Sequence, residues 1–296
     1  ITLRNFYHGI LFETNRQKVY HYLRNFIEKA YARPLPELTL DPDEFSVKEY
    51  ENLYHKLLPA GEKLNYAVQK WTLGKIGSLS QGMNLGLQFG FDSGISLDYV
   101  YRNESHGKNR FGRILDRGYL EAIGWKGIRI RKQHLLQLLE EHIAEVKAAG
   151  RAVKILDIAG GTGNYLFDIK EKYPDTEIVI NEFLLSNIAV GEKIIRRKGL
   201  QGIRFTNYDC FDRATYTKLE FEPNIVIISG IFELFGDNEM ASRAVQGATS
   251  ICEANSHLVY TGQPWHPQLK MIAYVLNSHQ KKDWVMRRRS QKELDR

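Results

Sequence analysis

Cysteine is scarce in this chain of 296 residues: only Cys210 and Cys252 occur. Two thiols so far apart form neither a disulfide framework nor a metal-ligand cluster, so a reducing, cytoplasmic setting without a metal site is expected. Long apolar runs are lacking too. The longest are strand-length, well short of the roughly 20 residues of a membrane-spanning helix, and no signal-peptide pattern appears. Neither sign of charge dominates, with 41 Lys and Arg against 35 Asp and Glu. Lys193, Arg196, Arg197 and Lys198 form one basic cluster and Arg287, Arg288 and Arg289 another. Neither is accompanied by base-stacking aromatics or an RNA-binding motif, so both read as solvated helix faces and caps and no nucleic-acid partner is expected. The rest is ordinary globular composition, 43% hydrophobic and 26% charged, enough for one large or two modest domains.

Against that background, VKILDIAGGTGNYLFDI at 153–169 stands out. An apolar β-type run leads into Asp157, then into a turn with Ala159, Gly160, Gly161 and Gly163, then into a helical pattern. Strand, Gly-rich turn and helix make a nucleotide-binding beginning. A dinucleotide site places a pyrophosphate on the helix N-terminus, where a carboxylate would repel it. Asp157 instead suits a ligand with an ammonium group, as in the methionine part of S-adenosylmethionine (SAM).

From Arg151 onward strands and helices alternate. Strands are expected at 153–158, 177–182, 203–208, 224–229 and 256–261, and helices at 164–173, 185–198, 238–253 and 267–279. Such alternation predicts an α/β fold with a parallel sheet covered on both faces, and ligands beyond the strand C-terminal ends. Upstream, a helix is expected from Asn15 to about Ala32, a Pro-rich linker at 32–45, helical segments at 46–90, an extended or looped segment at 94–103, a Gly/Arg-rich connection, and a helix at 131–148.

Chemistry-bearing residues fall at the expected strand ends. Glu182, followed by Phe183, ends the second strand, where a carboxylate accepts from both ribose hydroxyls. Asp209 ends the third and is placed to accept from an adenine amino group, with Cys210 or Phe211 packing the ring. Ser229 ends the fourth.

This order resembles the class I SAM-dependent methyltransferases, with Ala159 in place of the usual first glycine. The segments GISLDYVYRN, GWKGIRIRK, NEFLLSNIAVG, SGIFELFGDN, YTGQPWHPQLKMIA and WVMRRRSQKELD narrow the likeness. Together they look like the methyltransferase half of bacterial bifunctional α/β-hydrolase/methyltransferase proteins. The resemblance implies a Rossmann-like sheet lacking its last edge strands, SAM as cofactor and S-adenosylhomocysteine (SAH) as product. It also implies an upstream α/β-hydrolase domain on the same polypeptide, with His8 in FYHGILFETNR as that family's triad histidine. The expected organisation is a hydrolase remnant at 1–33, a linker and helical segment at 34–90, a cap at 91–150 and the SAM-binding domain at 151–296.

Methyl transfer needs alignment, dry surroundings and, for some acceptors, a base. His266 in GQPWHP is the first candidate base and Glu233 the second, with Gln263 and Trp265 beside the acceptor. Tyr99 and Tyr101 would share a face if 94–103 were a strand: Tyr99 is assigned to the substrate and Tyr101 to the donor. Arg129 and Arg131 are candidates to clamp the donor carboxylate or an acidic substrate. The expected activity is methylation of a small or lipid-like acceptor. The alternatives are an NAD-dependent oxidoreductase and a non-catalytic SAM-binding module.

Overall fold

The computed structural model describes residues 16–31 and 43–295. The chain divides into two compact units, 1–39 and 40–295. In the first, helix α1 spans Arg16–Tyr31; His8 lies outside the described residues. The second takes in residues on both sides of positions 90 and 150, where further boundaries were expected. No helix among the described residues is long and apolar enough to cross a membrane.

The second unit opens with helices α2 (Glu44–Tyr54), α3 (Ala60–Ile76), α4 (Gln81–Phe89), α5 (Gly94–Arg102), α6 (Arg110–Leu120) and α7 (Ile123–Ala148). Strands β1 (Lys154–Ile158), β2 (Glu177–Asn181) and β3 (Ile203–Thr206) follow, joined by α8 (Asn164–Lys172) and α9 (Leu185–Lys198). Then come β4 (Ile225–Ile228), α10 (Asn238–Thr249), β5 (His257–Tyr260), α11 (Leu269–Val275) and α12 (Gln291–Leu294). The five strands form one parallel sheet in the order β3-β2-β1-β4-β5. That is a Rossmann-like α/β arrangement, and its chain order reverses between β1 and β4, the place where such sheets take ligands.

Alternation along the strands explains why both faces are covered. Ile155, Ile178, Ile180, Ile225 and Ile227 pack with Leu135, Leu139, Ile143 and Val146 of α7 and with Leu166 and Ile169 of α8. Leu156, Ile158, Val179, Val226 and Ile228 face the other way, onto Tyr216, Leu219 and Ala248. A third cluster is mainly helical and includes Phe91, Val100, Leu120, Trp125, Ile272 and Trp284.

Several expectations need correcting. The segment 94–103 is not extended: it is helix α5, with the Ser93 hydroxyl accepting from the Ser96 amide at 3.2 Å and Asn103 closing it in the left-handed conformation. Tyr99 and Tyr101 therefore lie on opposite sides, because residues two apart on a helix do not share a face. The expected Gly/Arg-rich connection contains α6, and α7 begins at Ile123 rather than 131, carrying Gly124 and Gly127 within it. The helices expected at 238–253 and 267–279 stop at Thr249 and span only Leu269–Val275.

The C-terminal arginines are not a solvated cluster. Arg287 and Arg289 are 1% and 2% exposed. Arg287 is bonded to Glu293, Asn238 and Ser46, while Arg289 donates to the carbonyls of Phe232, Phe235 and Asp237. Buried charge of this kind persists only where it is paired and hydrogen-bonded.

Candidate functional site

The turn after β1 is built around a buried acid. Asp157 is 1% exposed, and loss of water pushes its carboxyl up to about 7 despite a hydrogen bond from the Tyr165 hydroxyl. The other carboxylate oxygen, Oδ1, is buried without a partner. A Cβ at Gly160 would stand 2.4 Å from Asp157 Oδ2 and 2.6 Å from Ile180 Cγ2, so only glycine permits this approach. Ala159, at φ 54°, shows that the first turn position tolerates a small side chain in the left-handed region.

Glu182 holds the turn from the neighbouring strand. Its Oε2 accepts from the Gly161 amide at 2.9 Å and its Oε1 from the Leu184 amide at 2.7 Å. Burial raises its pKa, and each oxygen keeps a further lone pair for a ligand donor. Asp209 accepts from the Phe211 amide at 2.9 Å, an Asx-type turn that fixes its carboxylate. Burial pushes the neighbouring Cys210 thiol up to about 12, which makes it an inert wall. The Phe211 ring meets Phe235 edge-on, with centroids 4.6 Å apart.

A cavity of about 600 Å³ opens here, and Gly160, Gly161, Glu182, Phe183, Asp209 and Ser229 line it, with Ala159, Cys210 and Phe211. Asp157 and Gly163 sit beneath the lining rather than in it. Helix α5 supplies the facing wall with Gly94, Asp98 and Tyr101. A Cβ on Gly94 would come within 2.9 Å of Gly161 Cα, so helix and turn are in close contact. Asp98 accepts from Thr162 Oγ1 at 2.5 Å, and burial pushes its carboxyl up to about 6. Asn187 of α9 also lines the cavity, and its Oδ1 is buried without a partner. Sequence reading missed Asp98, Thr162 and Asn187. The helical spacing of Leu97, Val100 and Tyr101 was the available signal, since it puts Asp98 on a helix facing the turn.

A second cavity of about 900 Å³ adjoins the first, sharing Asp92, Leu97, Arg131, Gly230, Leu234 and Trp284 with it. Gln263, Trp265, His266 and Glu233 line it together. Arg131 Nη1 donates to Glu233 Oε1 at 3.3 Å, with both side chains largely buried. Arg131 also meets the Tyr101 hydroxyl.

Three assignments do not survive the geometry. Tyr99 lines neither cavity; its hydroxyl donates to Asp116 Oδ2 at 2.5 Å and ties α5 to α6. Arg129 also lies outside both cavities and donates to the Leu120 carbonyl at 3.0 Å. Of the two arginines, the one that reaches both cavities is Arg131. His266 is present but unsuited to act as a base. Its Nδ1 accepts from the Gln268 amide at 3.1 Å, and burial lowers its pKa. The neutral ring therefore carries its proton on Nε2 and offers a donor there, not a lone pair.

One grouping lies elsewhere. His142, Glu145 and His257 bring potential ligand atoms within 4.8 Å of one another, at the start of β5 and so at the opposite end of the sheet from the cavities. Counting cysteines could not reveal it.

The Escherichia coli (strain K12) protein YnbC is 38% identical over 302 residues, covering 99% of this chain and 51% of YnbC. The chain thus spans about half the length of that relative. Among solved structures, PKMT2 from Rickettsia typhi in complex with AdoHcy is 17% identical, with a TM-score of 0.35 over 41% of this chain and 22% of that one. An O-methyltransferase of Nostoc punctiforme PCC 73102, described there as putative, is 14% identical, with a TM-score of 0.42 over 55% of this chain and 47% of that one. The family model described as "Putative methyltransferase" matches residues 23–296, and the chain belongs to that methyltransferase family.

Proposed function

We propose that this protein is a SAM-dependent methyltransferase, with the donor in the cavity beside the Gly turn and the acceptor in the adjoining one. The observation that carries this reading is the cavity at the sheet's switch point, lined by Asp98, Glu182 and Asp209 and continuous with a second cavity at Arg131. The residues fit the donor: Asn187 lines the cavity with a buried, unpartnered Oδ1, which calls for a polar ligand. Asp98, with Asp157 behind the turn, would hold the donor's ammonium end. Glu182 would hold the ribose hydroxyls, and Asp209, Cys210 and Phe211 the adenine.

When bound, SAM supplies a methyl group on a positively charged sulfur, which an acceptor nucleophile takes by in-line displacement while the sulfur keeps the bonding electron pair. The chain's own contribution is placement and exclusion of water. Glu182 and the turn amides fix one partner. Arg131, held by Glu233, stands where the two cavities meet and is positioned to orient the other. No base step is assigned to His266, because its free nitrogen is the protonated one.

Thermal-shift titration tests the reading. SAH should raise the melting temperature and NAD should not. A shift with NAD alone would instead favour the oxidoreductase, which Asp157 and the absence of G-x-G-x-x-G spacing oppose. Binding of SAH without methyl transfer to any acceptor in a cell extract would favour the non-catalytic module. The upstream hydrolase domain belongs to the same proposal and rests on the resemblance of residues 1–33; an esterase assay on the whole reading frame tests it.

A further inference from the structure

The second cavity differs in character from the first. Its deep walls are Phe91, Trp125, Leu135, Ile272, Val275 and Trp284, all buried and apolar. Its rim is apolar as well, although it faces water. Ile114, Ile130, Leu138 and Trp265 are 69%, 50%, 42% and 65% exposed, and all four line the opening. Ile130, His134 and Leu138 stand four residues apart on α7, so one helix face points along the entrance. Gly118 of α6 and Gly127 of α7 lie on the same lining with nothing within 4 Å of a Cβ, which keeps that wall low.

Charge is confined to the other end. Among the described residues lining this cavity, Arg131 is the permanent cation, and Asp92 and Glu233 are the acids; both Asp92 oxygens are held by His279, and Arg131 spends N–H donors on Glu233 and the Tyr101 hydroxyl. A guanidinium has five N–H donors, so others are left for a ligand oxygen. Gly230, at φ 75°, gives the group room: a Cβ there would lie 3.1 Å from Arg131 Nη2. A volume of about 900 Å³ is near the upper end for small-ligand pockets, which run roughly 300–1,000 Å³.

We propose that this cavity holds an amphiphilic acceptor, its apolar chain lying between α6, α7 and α11 and its oxygen head group hydrogen-bonded to Arg131 where the two cavities join. The proposal rests on the methyltransferase reading and adds the class of the acceptor. A head group that arrives already ionised, such as a carboxylate, suits the site best. It needs no proton removed, and the imidazole of His266 is arranged to donate.

Binding can be read without turnover, because Trp125, Trp265 and Trp284 all line the cavity. Palmitate, hexadecanol and butyrate are titrated against the whole chain by intrinsic fluorescence and by calorimetry. Palmitate should bind at least tenfold more tightly than butyrate. The double variant Ile114→Glu/Ile130→Glu, altered only at exposed positions, should lose at least tenfold in palmitate affinity while keeping the SAH thermal shift. Arg131→Met should weaken the head-group contact, for palmitate more than for hexadecanol. Equal affinity for butyrate and palmitate, or an unchanged palmitate affinity in the double variant, overturns the chain site. Unchanged affinities for palmitate and hexadecanol in Arg131→Met overturn the placement of the head group. If SAH gives no shift with the wild-type chain, the donor reading fails, and the palmitate series still decides whether the cavity takes a chain.

Discussion

Thr162 Oγ1 donates to Asp98 Oδ2 at 2.5 Å, tying the Gly turn after β1 to helix α5, 64 residues earlier in the chain. The bond places a second carboxylate opposite the one beneath the turn. Burial lifts both, Asp98 to about 6 and Asp157 to about 7. The ammonium group that SAM and SAH share favours the ionised form of each. Affinity for SAH should thus be constant above about pH 7.5 and fall as pH drops through 7 and 6, with protons released on binding within that window. Calorimetry at pH 6.5 in two buffers of different ionisation enthalpy measures the release. Asp98→Asn should lose at least tenfold in SAH affinity and flatten the lower part of the profile; an unchanged affinity would remove Asp98 from the donor site.

Asp157 carries a consequence for stability as well. Its folded pKa is raised, chiefly by desolvation, above the unfolded value near 4. The folded state therefore holds the proton more tightly. Its contribution is fully present below about pH 4 and is lost as pH rises through about 7, above which the buried carboxylate opposes folding. Asp157→Asn removes that penalty. Without ligand it should be more stable than wild type at pH 8 by about 1–3 kcal/mol, or a few degrees in melting temperature, and little changed at pH 4. The same variant should bind SAH poorly. Chemical denaturation at the two pH values, alongside SAH titration, checks both halves.

Two glycines with opposite surroundings separate strain from flexibility. At Gly160 a methyl would strike Asp157 and Ile180, whereas at Gly74, inside α3, it would meet nothing within 4 Å. Gly160→Ala should cost about 1–3 kcal/mol and abolish the SAH shift, because the turn must move off the carboxylate. Gly74→Ala should instead gain about 0.5–1 kcal/mol from better helix propensity. Urea denaturation of the pair measures both signs; a neutral Gly160→Ala would mean that the turn is not held by close approach.

The contrast between these positions also explains what could be read in advance. The sheet was legible because each strand is a short, near-continuous apolar run ending in a polar residue, as the burial of Ile225 to Ile228 shows. Glu182 and Asp209 were legible for the same reason: they sit at strand ends, and local order fixes where those point. Helix α5 was not, because Tyr99, Val100 and Tyr101 also fit a strand's alternation. The choice was made by Ser93 capping and by packing against the turn, neither of which is local to the pattern. Arg287 was misread because two of its partners, Asn238 and Ser46, are 49 and 241 residues away. Arg129 and Arg131 are two residues apart in sequence, and only the orientation of α7 sends one toward Leu120 and the other toward Glu233.

His266 shows how one hydrogen bond changes a role. By residue type alone it is the natural base, with an ordinary pKa close to neutral. The Gln268 amide fills the Nδ1 lone pair, and burial favours the neutral ring. Nitrogen-detected NMR of the imidazole should then show an unprotonated Nδ1 and a protonated Nε2 at pH 7, with the ring taking up its second proton at lower pH than a free imidazole. His266→Gln, whose side-chain amide can still donate, should keep most of the methyl transfer to an ionised acceptor, within about threefold. His266→Ala, which cannot donate, should lose more. A proton on Nδ1 at pH 7, or a His266→Gln variant as inactive as a base deletion, about a hundredfold or more, would return the base role to this residue.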